Sequence, residues 1–466
     1  MKKNIFGDDV KRVHFIGIGG ISMSGLAEML MARGFAVSGS DDNVSDATER
    51  LGSLGIKIYT AHEAANLNDC PDLVVYTAAI KNGNSELAAA RSKNIRVIDR
   101  AELLGLMINE NDSSVCIAGC HGKTTTTSIV ADICVGAGYD PSVNVGGYMQ
   151  SSGKNFRAGS TGCMIAEACE YSDSFLKFYP RIGVILNIEE DHMDYFKTKK
   201  NLYASYRKFA ENIKPGGALI IYGGIPGIEE VTLGLGCRVI TYGTENANYM
   251  ARNISRAECG STEFDIFFNG VFFVHAKLRL RGGHNILNAL AAAAAVRELG
   301  AEPEIISCGI ASALGVKRRY EIKGSFNGVT VVDDYAHHPT AIEATLAETA
   351  INKKSRRIIC VFQPHTYTRT ENLLDEFACA FSNADIVVLI PIYASREAFT
   401  EKISSKILAD KIKENKNGGE VFHAENFDEA EKLLEKLALP GDVLVTMGAG
   451  DVYLIGERLI EKGFKC

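Results

Sequence analysis

Apolar residues in this chain come in short β-rich bursts, each followed by a stretch with helical character. From position 10 to about 108 the alternation runs VHFIGI, ISMSGLAEMLMARG, FAVSGSD, SDATERLGSLG, IKIYTA, DLVVYTAA, SELAAARSKN, IRVIDR and AELLGLMI. That order predicts a parallel sheet flanked by helices. The polar string NENDSS, 109–114, reads as a linker, after which SSVCIAG restarts the design with strands at CMIAEA, RIGVILNI, GALIIYG and RVITYG. Asn269-Gly270 lies between two β-rich runs in FDIFFNGVFFVHAKL, a hairpin signal, and the Ala-rich helix HNILNALAAAAAVRELG follows. A third set begins near 320 with VTVVDD, RRIICVFQ, DIVVLIPI and DVLVTMGAG. No fixed-period repeat is present, only the recurrence of α/β design.

Length changes this picture first: 466 residues exceed what one core sustains, so two or three domains are expected. A hydrophobic content of 46% with 23% charged residues is the balance of a globular protein without disordered tracts. The net charge of −7, with no strongly basic window, gives no electrostatic support to a nucleic-acid or anionic-membrane surface. A compact anionic ligand held by a few placed groups remains compatible. The 12 cysteines, among them Cys70, Cys134, Cys237 and Cys379, form no CxxC pair, as expected of reduced thiols in the cytoplasm. The apolar stretch at the start is too short for a signal peptide, and no run reaches the length of a membrane span.

Two glycine-rich turns carry the first chemistry. GIGGISMSG, 17–25, follows a strand and opens a helix, so its amides can approach a pyrophosphate. Gly17 and Gly19 fit a dinucleotide fingerprint but the third position is Ser22, and Asp41 stands where a ribose-binding acid would. A nicotinamide cofactor, another nucleotide and a plain tight turn all fit that loop. GCHGKT, 119–124, is a phosphate loop one spacer short, with Ile117 where the usual spacing wants glycine. Its amides would cradle phosphates, Lys123 would supply a point charge, and Thr124 could ligate Mg²⁺. Cys120 has no paired base and reads as a small filler.

Three further groups stand at strand ends. Glu167 closes CMIAEA and His192 follows RIGVILNI in NIEEDHMD, so one parallel sheet would deliver Thr124, Glu167 and His192 to the same carboxyl edge. Oxygen-rich ligation with one imidazole suits Mg²⁺ or Mn²⁺. His284 and Asn288 are four apart on one helix face, and an Asn amide matches adenine N6 and N7. Arg318 and Arg319 in GVKRRYE, VVDDYAHHP at 331–339 and FQPHTYTRT at 362–370 bring acids, imidazoles and basic groups able to hold phosphate or carboxylate.

Together HFIGIGGISMSGLAEML, SGSD, GCHGKTTTT, EACEYSDSFL, NIEEDHMD, GGHNILNALAA, GVKRRYE, VVDDYAHHP, FQPHTYTRT and MGAGD resemble the Mur ligases of peptidoglycan synthesis, over about residues 11–460. The resemblance implies an α/β protein of three domains: a Rossmann-like UDP-sugar domain over 1–110, a P-loop ATPase-like domain over 111–317 and a Rossmann-like amino-acid domain over 318–466. It turns the GIGG loop from a nicotinamide seat into a UDP-sugar seat, and makes G-x-H-G-K-T the family's own form of phosphate loop.

Carried over by position, Gly119, Cys120, His121, Gly122, Lys123, Thr124 and Thr125 would hold ATP, with Asn288 at adenine and Arg319 and Asp334 closing on the nucleotide. Thr124, Glu167 and His192 would bind Mg²⁺ or Mn²⁺. Gly17, Gly19, Gly20, Ser22, Ser40, Asp41, His62 and Arg100 would meet the UDP-sugar, and Tyr335, His337, His365 and Arg369 the amino acid. The implied substrates are UDP-N-acetylmuramate, ATP and L-alanine, joined through an acyl phosphate in the cytoplasm. Lys123 would assist phosphoryl transfer and either His337 or His192 would serve as base. Many relatives have Arg where this chain has Thr366, which shifts carboxylate binding onto Arg369, and no equivalent of the carbamylated lysine of related ligases can be placed. Gly315 and the segment around Arg318 read as hinge territory. The rivals are a ligase adding a preformed tripeptide, a nicotinamide oxidoreductase and a non-catalytic nucleotide-binding protein.

Overall fold

A computed structural model of the chain describes residues 5–7, 9–81, 83–257, 260–351, 356–395, 397–415 and 419–463. The chain forms two compact units, one of residues 1–280 with 285–315 and one of 281–284 with 316–466. It passes from the first to the second between Gly315, at φ +75°, and Val316.

The first unit opens with strands β1 (Arg12–Ile16), β2 (Ala36–Ser40), β3 (Lys57–Tyr59), β4 (Leu73–Tyr76) and β5 (Arg96–Asp99), linked by helices α1 (Ile21–Ala32), α2 (Asp46–Ser53), α3 (Ser85–Ser92) and α4 (Arg100–Asn109). All pairings are parallel, in the order β3-β2-β1-β4-β5. The order reverses at β1, which places the GIGG turn at the switch point where such sheets bind ligands.

A ten-stranded sheet follows: β6 (Ser113–Ala118), β7 (Ser142–Asn144), β8 (Phe156–Arg157), β9 (Cys163–Glu167), β10 (Ile182–Ile185), β11 (Ala218–Tyr222), β12 (Arg238–Gly243), β13 (Tyr249–Arg256), β14 (Thr262–Phe268) and β15 (Val271–Leu278). Its order is β15-β14-β13-β12-β11-β10-β6-β9-β7-β8. β6 is central and buried on both faces, as an interior parallel strand requires. Its Val115 and Ile117 enter one core, whereas Cys116 and Ala118 enter another that also contains Phe15 of β1 and Leu26 of α1. Asn269 and Gly270 both take positive φ, +50° and +81°, the turn expected between β14 and β15.

The expected linker at 109–114 joins α4 to β6 and is tied down by its neighbours. Lys214 Nζ donates to the carbonyls of Asn109 and Asn111 at 3.1 and 2.8 Å, Asn109 Oδ1 accepts from the Tyr179 amide at 2.8 Å, and Asn111 is buried. Polar residues there serve the backbone of neighbouring elements, a use that composition does not reveal.

The second unit holds β16 (Glu321–Phe326), β17 (Val329–Asp334), β18 (Ile358–Phe362), β19 (Ile386–Leu389), β20 (Glu420–His423) and β21 (Val443–Met447), ordered β16-β17-β21-β18-β19-β20. Only β16 runs antiparallel. The hydrophobic pattern misses β7, β8, β13, β16 and β20: β7, β8 and β20 are only two to four residues long, and β13 and β16 carry register shifts, between Arg252 and Ser255 and between Ile322 and Gly324, that break the alternation of faces.

Where α4 passes the turn that holds Lys177, a Cβ on Gly105 would sit 2.6 Å from the Lys177 carbonyl oxygen, whereas one on Gly52 in α2 would meet nothing within 4 Å. Alanine is the better helix former by about 1 kcal/mol. Gly52→Ala is therefore expected to hold or raise stability, and Gly105→Ala to lower it by roughly 1–3 kcal/mol through overpacking, both read by denaturant unfolding.

Candidate active site

The phosphate loop begins where β6 ends. Ile117 is fully buried inside the strand, so the shortened loop starts at Gly119, the first residue to leave the sheet. Gly119 and Gly122 adopt φ of +137° and +83°, and a Cβ at Gly122 would come within 2.6 Å of Asn288 Oδ1. Glycine is required at 122 by conformation and by that neighbour. The loop feeds helix α5 (Lys123–Gly136), whose N-cap, Gly122, contributes no side-chain acceptor, so a positive helix terminus faces the edge of the sheet. Asn187, just past β10, clamps the loop: its Oδ1 accepts from the His121 amide at 2.9 Å and its Nδ2 donates to the His121 carbonyl at 3.0 Å. Cys120 Sγ lies 3.2 Å from both the amide and the carbonyl oxygen of Glu189, and burial pushes its thiol up to about 12. It is a structural thiol, as its surroundings in the sequence indicated.

Lys123 turns its ammonium back over this loop toward the carbonyls of Gly119 and Cys120. Its ion-pair partner is Glu170, at 3.0 and 3.1 Å to the two carboxylate oxygens and 1% exposed. Burial alone would lower the amine's pKa, but Glu170 outweighs it and raises the lysine above its ordinary range. Glu170 lies in the motif EACEYSDSFL, yet sequence reasoning singled out Glu167 alone, because two acids three apart do not declare which faces the lysine.

β6 pairs in parallel with β9 on one side and β10 on the other, so Thr124, Glu167 and His192 follow neighbouring strands at one carboxyl edge. Glu167 Oε1 accepts from the Gly146 amide at 2.6 Å, and a Cβ at Gly146 would come within 2.8 Å of Oε2. His192 takes a left-handed conformation at φ +55°, with the Tyr171 ring tilted against it at 4.7 Å between ring centres. A hydroxyl, a carboxylate and a single imidazole are a donor set that fits Mg²⁺ or Mn²⁺, with room for water and phosphate oxygens. Asn288 donates to Asn285 Oδ1 at 2.8 Å, which holds the amide beside Gly122.

The residues expected at the UDP-sugar fall into two groups in the first sheet. Ser22, in the first turn of α1, lies 3.3 Å from Arg100 Nη1, which adds a cation to a helix terminus capped only by Gly20. Around the end of β2, Asp41 Oδ2 accepts from the Gly19 amide at 2.8 Å, while Gly17 and Ile18 donate to the Ser40 carbonyl. Ser40 itself is fully buried, its hydroxyl turned to Glu86 and His62.

In the second unit, Tyr335, His337 and His365 form a chain of rings with centres 5.4 and 5.7 Å apart, and Arg369 Nη1 lies 3.3 Å from His365 Nδ1. His365 also stacks on Tyr393, which the sequence did not bring forward. Burial and then the Arg369 guanidinium push His337 well below the usual histidine range and His365 down to about 4. His337 Nδ1 donates to the Tyr335 carbonyl at 2.9 Å, which leaves Nε2 as its acceptor. Thr366 takes φ +66° and ψ 144°, a conformation costly for a β-branched residue, between His365 and the helix bearing Arg369.

The two arginines of GVKRRYE have separate tasks. Arg318 donates to Asp333 at 3.0 Å and to the carbonyls of Gly448 and Gly450 at 2.8 Å each, and so organises the MGAGD turn. Arg319 lies over the Tyr335 ring at 5.2 Å. Asp334 accepts from the amides of Tyr320 and Ala336 at 2.8 Å each, so its carboxylate already shapes the loop it stands in.

Comparison with known proteins agrees with this architecture. Residues 12–111 match the model described as the Mur ligase family catalytic domain, 117–296 the Mur ligase middle domain and 318–450 the Mur ligase glutamate ligase domain. The chain is 46% identical over 461 residues to UDP-N-acetylmuramate–L-alanine ligase of Clostridium novyi, covering 99% of this chain and 100% of that one. The enzyme of the same name from Acetivibrio thermocellus is 46% identical over 97% of this chain and 96% of its own. Among solved structures, the UDP-N-acetylmuramate–alanine ligase of Thermotoga maritima matches with a TM-score of 0.82 at 29% identity, covering 97% of this chain and 98% of that one. A murein peptide ligase of Psychrobacter arcticus matches with a TM-score of 0.72 at 25% identity over the same shares. The chain belongs to the Mur ligase family.

Proposed function

We propose that the protein joins L-alanine to the lactyl carboxylate of UDP-N-acetylmuramate, converting ATP to ADP and phosphate, the first peptide step of peptidoglycan precursor synthesis. The observation that carries this reading is the identity of 46% along essentially the whole chain to ligases of that name. On this reading 1–110 binds the UDP-sugar, 111–317 binds ATP and 318–466 binds the amino acid. The cytoplasm supplies all three substrates, and the ten described cysteines are free thiols, consistent with that compartment.

A carboxylate resists attack by an amine because its charge is shared over two oxygens. The lactyl carboxylate attacks the γ-phosphate of ATP, an oxygen–phosphorus bond forms and ADP departs. The amide groups of the 119–122 turn and Lys123 are the preorganised positive charge for the transferring phosphoryl group. As the nucleotide seats, its phosphates take over the counter-charge role that Glu170 plays for Lys123. Thr124, Glu167 and His192 would hold Mg²⁺, which when bound neutralises phosphate charge. Alanine's amine then attacks the acyl carbon and phosphate leaves with one carboxylate oxygen. Arg369 is assigned to the amino acid's α-carboxylate. His337 is assigned as the proton acceptor, because its Nδ1 is committed to the Tyr335 carbonyl and its Nε2 is left as the acceptor in the cluster that holds Arg369.

Steady-state ADP release is expected only with UDP-N-acetylmuramate and L-alanine together, and a preformed tripeptide should not replace alanine. Lys123→Ala should abolish release while UDP-sugar affinity stays within about twofold; loss of both would mean the two sites are misplaced. Arg369→Ala should raise the alanine KM at least roughly tenfold, the loss of a charge-assisted contact. NMR titration should find His365 ionising at about 4 and moving upward in Arg369→Ala, since the variant removes a lowering charge. The unfolded imidazole ionises near 6.5. The stability that His365 contributes is therefore full above that pH and declines as pH falls toward about 4.

A further inference from the structure

A buried carboxylate in the first domain has no place in the scheme above. Glu86, near the start of α3, is fully excluded from solvent and collects four donors. Oε1 accepts from His14 Nε2 at 3.1 Å and Asn66 Nδ2 at 2.8 Å; Oε2 accepts from Ser40 Oγ at 2.5 Å and His62 Nδ1 at 2.9 Å. His14, itself fully buried, lies on β1 and reaches Ser38 of β2 with its other nitrogen at 2.9 Å. Burial would raise the Glu86 carboxyl, but the bonds from His14, Ser40 and Asn66 outweigh it and hold it below the usual range.

Such a centre is an expensive way to fill space, because an ionised carboxylate without water is tolerated only when every lone pair is satisfied, and an apolar side chain would serve packing as well. What it does uniquely is dictate where protons sit. An ionised carboxylate only accepts, so the proton of His62 facing it must be on Nδ1. Nε2 is then the ring atom turned outward, 3.5 Å from the exposed Asp42, and the His62 side chain is 13% exposed there. Asp41 lies at the same strand end. Two carboxylates make this corner unfavourable to phosphate and suited to the N–H and O–H groups of a nucleoside, while Arg100 and the α1 terminus provide for phosphate elsewhere in the domain.

We propose that Glu86 is a positioning residue for the sugar nucleotide: it fixes His62 with Nδ1 inward and Nε2 presented to the nucleoside portion of UDP-N-acetylmuramate, with Ser40 and His14 as the buried struts of that arrangement. The proposal rests on the assignment of His62 to the UDP-sugar site. It makes Ser40 a support acting through His62 rather than a direct contact.

Three measurements on the full chain test it. In the unmodified protein, ¹⁵N NMR should find His62 protonated on Nδ1, with the Nε2 resonance moving on addition of UDP-N-acetylmuramate; a proton confined to Nε2 overturns the proposal without any variant. Glu86→Gln offers one acceptor oxygen where the carboxylate has two, so four donors can no longer be served. It should raise the KM for UDP-N-acetylmuramate roughly tenfold and leave kcat and the KM values for ATP and alanine within about twofold. His62→Ala should raise the same KM. If His62→Ala leaves it unchanged, the assignment of His62 to the sugar nucleotide fails and the proposal with it. If His62→Ala raises it and Glu86→Gln does not, only the role of Glu86 is overturned. A general loss in Glu86→Gln, with all three KM values or the fold affected, assigns Glu86 to structure and also overturns it.

Discussion

An ammonium group set against a protein interior keeps its charge only if something nearby carries the opposite one, and the phosphate site depends on that constraint. Glu170 supplies the charge for Lys123 while being almost entirely buried itself. A pair of this kind adds little net stability, yet removing either partner strands the other at a cost of about 3–5 kcal/mol. The pairing therefore explains how Lys123 stays charged and fixed. It also explains why β9 and its following turn lie against β6: one segment delivers both Glu167, facing Gly146, and Glu170, facing the lysine.

The same economy recurs in the second unit, where backbone groups engage many of the side chains that look catalytic in the sequence. Asp334 takes two amides, Arg318 takes two carbonyls, and His337 spends one nitrogen on a carbonyl. These bonds leave Arg369, His365 and the remaining nitrogen of His337 as the groups with chemistry to offer. Burial, and after it the charge of Arg369, keeps both imidazoles neutral, so the cluster carries its positive charge at one point.

Most of the framework was legible because parallel sheets write themselves as buried apolar bursts ending in glycine or acid. β6, β9 and β10 and the turn after each could be read directly, and with them the convergence of Thr124, Glu167 and His192 on one edge. β13 and β16 were missed where register shifts break the alternation on which strand reading relies, and β7, β8 and β20 because their runs are too short to show one. At 109–114 the sequence marks the connection between α4 and β6 but not its anchoring, because a polar side chain that binds a neighbour's backbone, as Asn109 does, looks the same in sequence as a solvated one. Asn187, Glu170 and Glu86 were invisible for a related reason: each acts on another side chain or on a loop, and only the fold brings partner and target together.

The central claim is that the carboxylate is activated by taking the γ-phosphoryl group at the loop around Lys123. Turnover of UDP-N-acetylmuramate labelled with ¹⁸O in its lactyl carboxylate, with ATP and L-alanine, tests this directly by mass spectrometry of the products. One labelled oxygen should appear in inorganic phosphate and none in the nucleotide. Label in AMP, or phosphate without label alongside formed amide, would contradict the account.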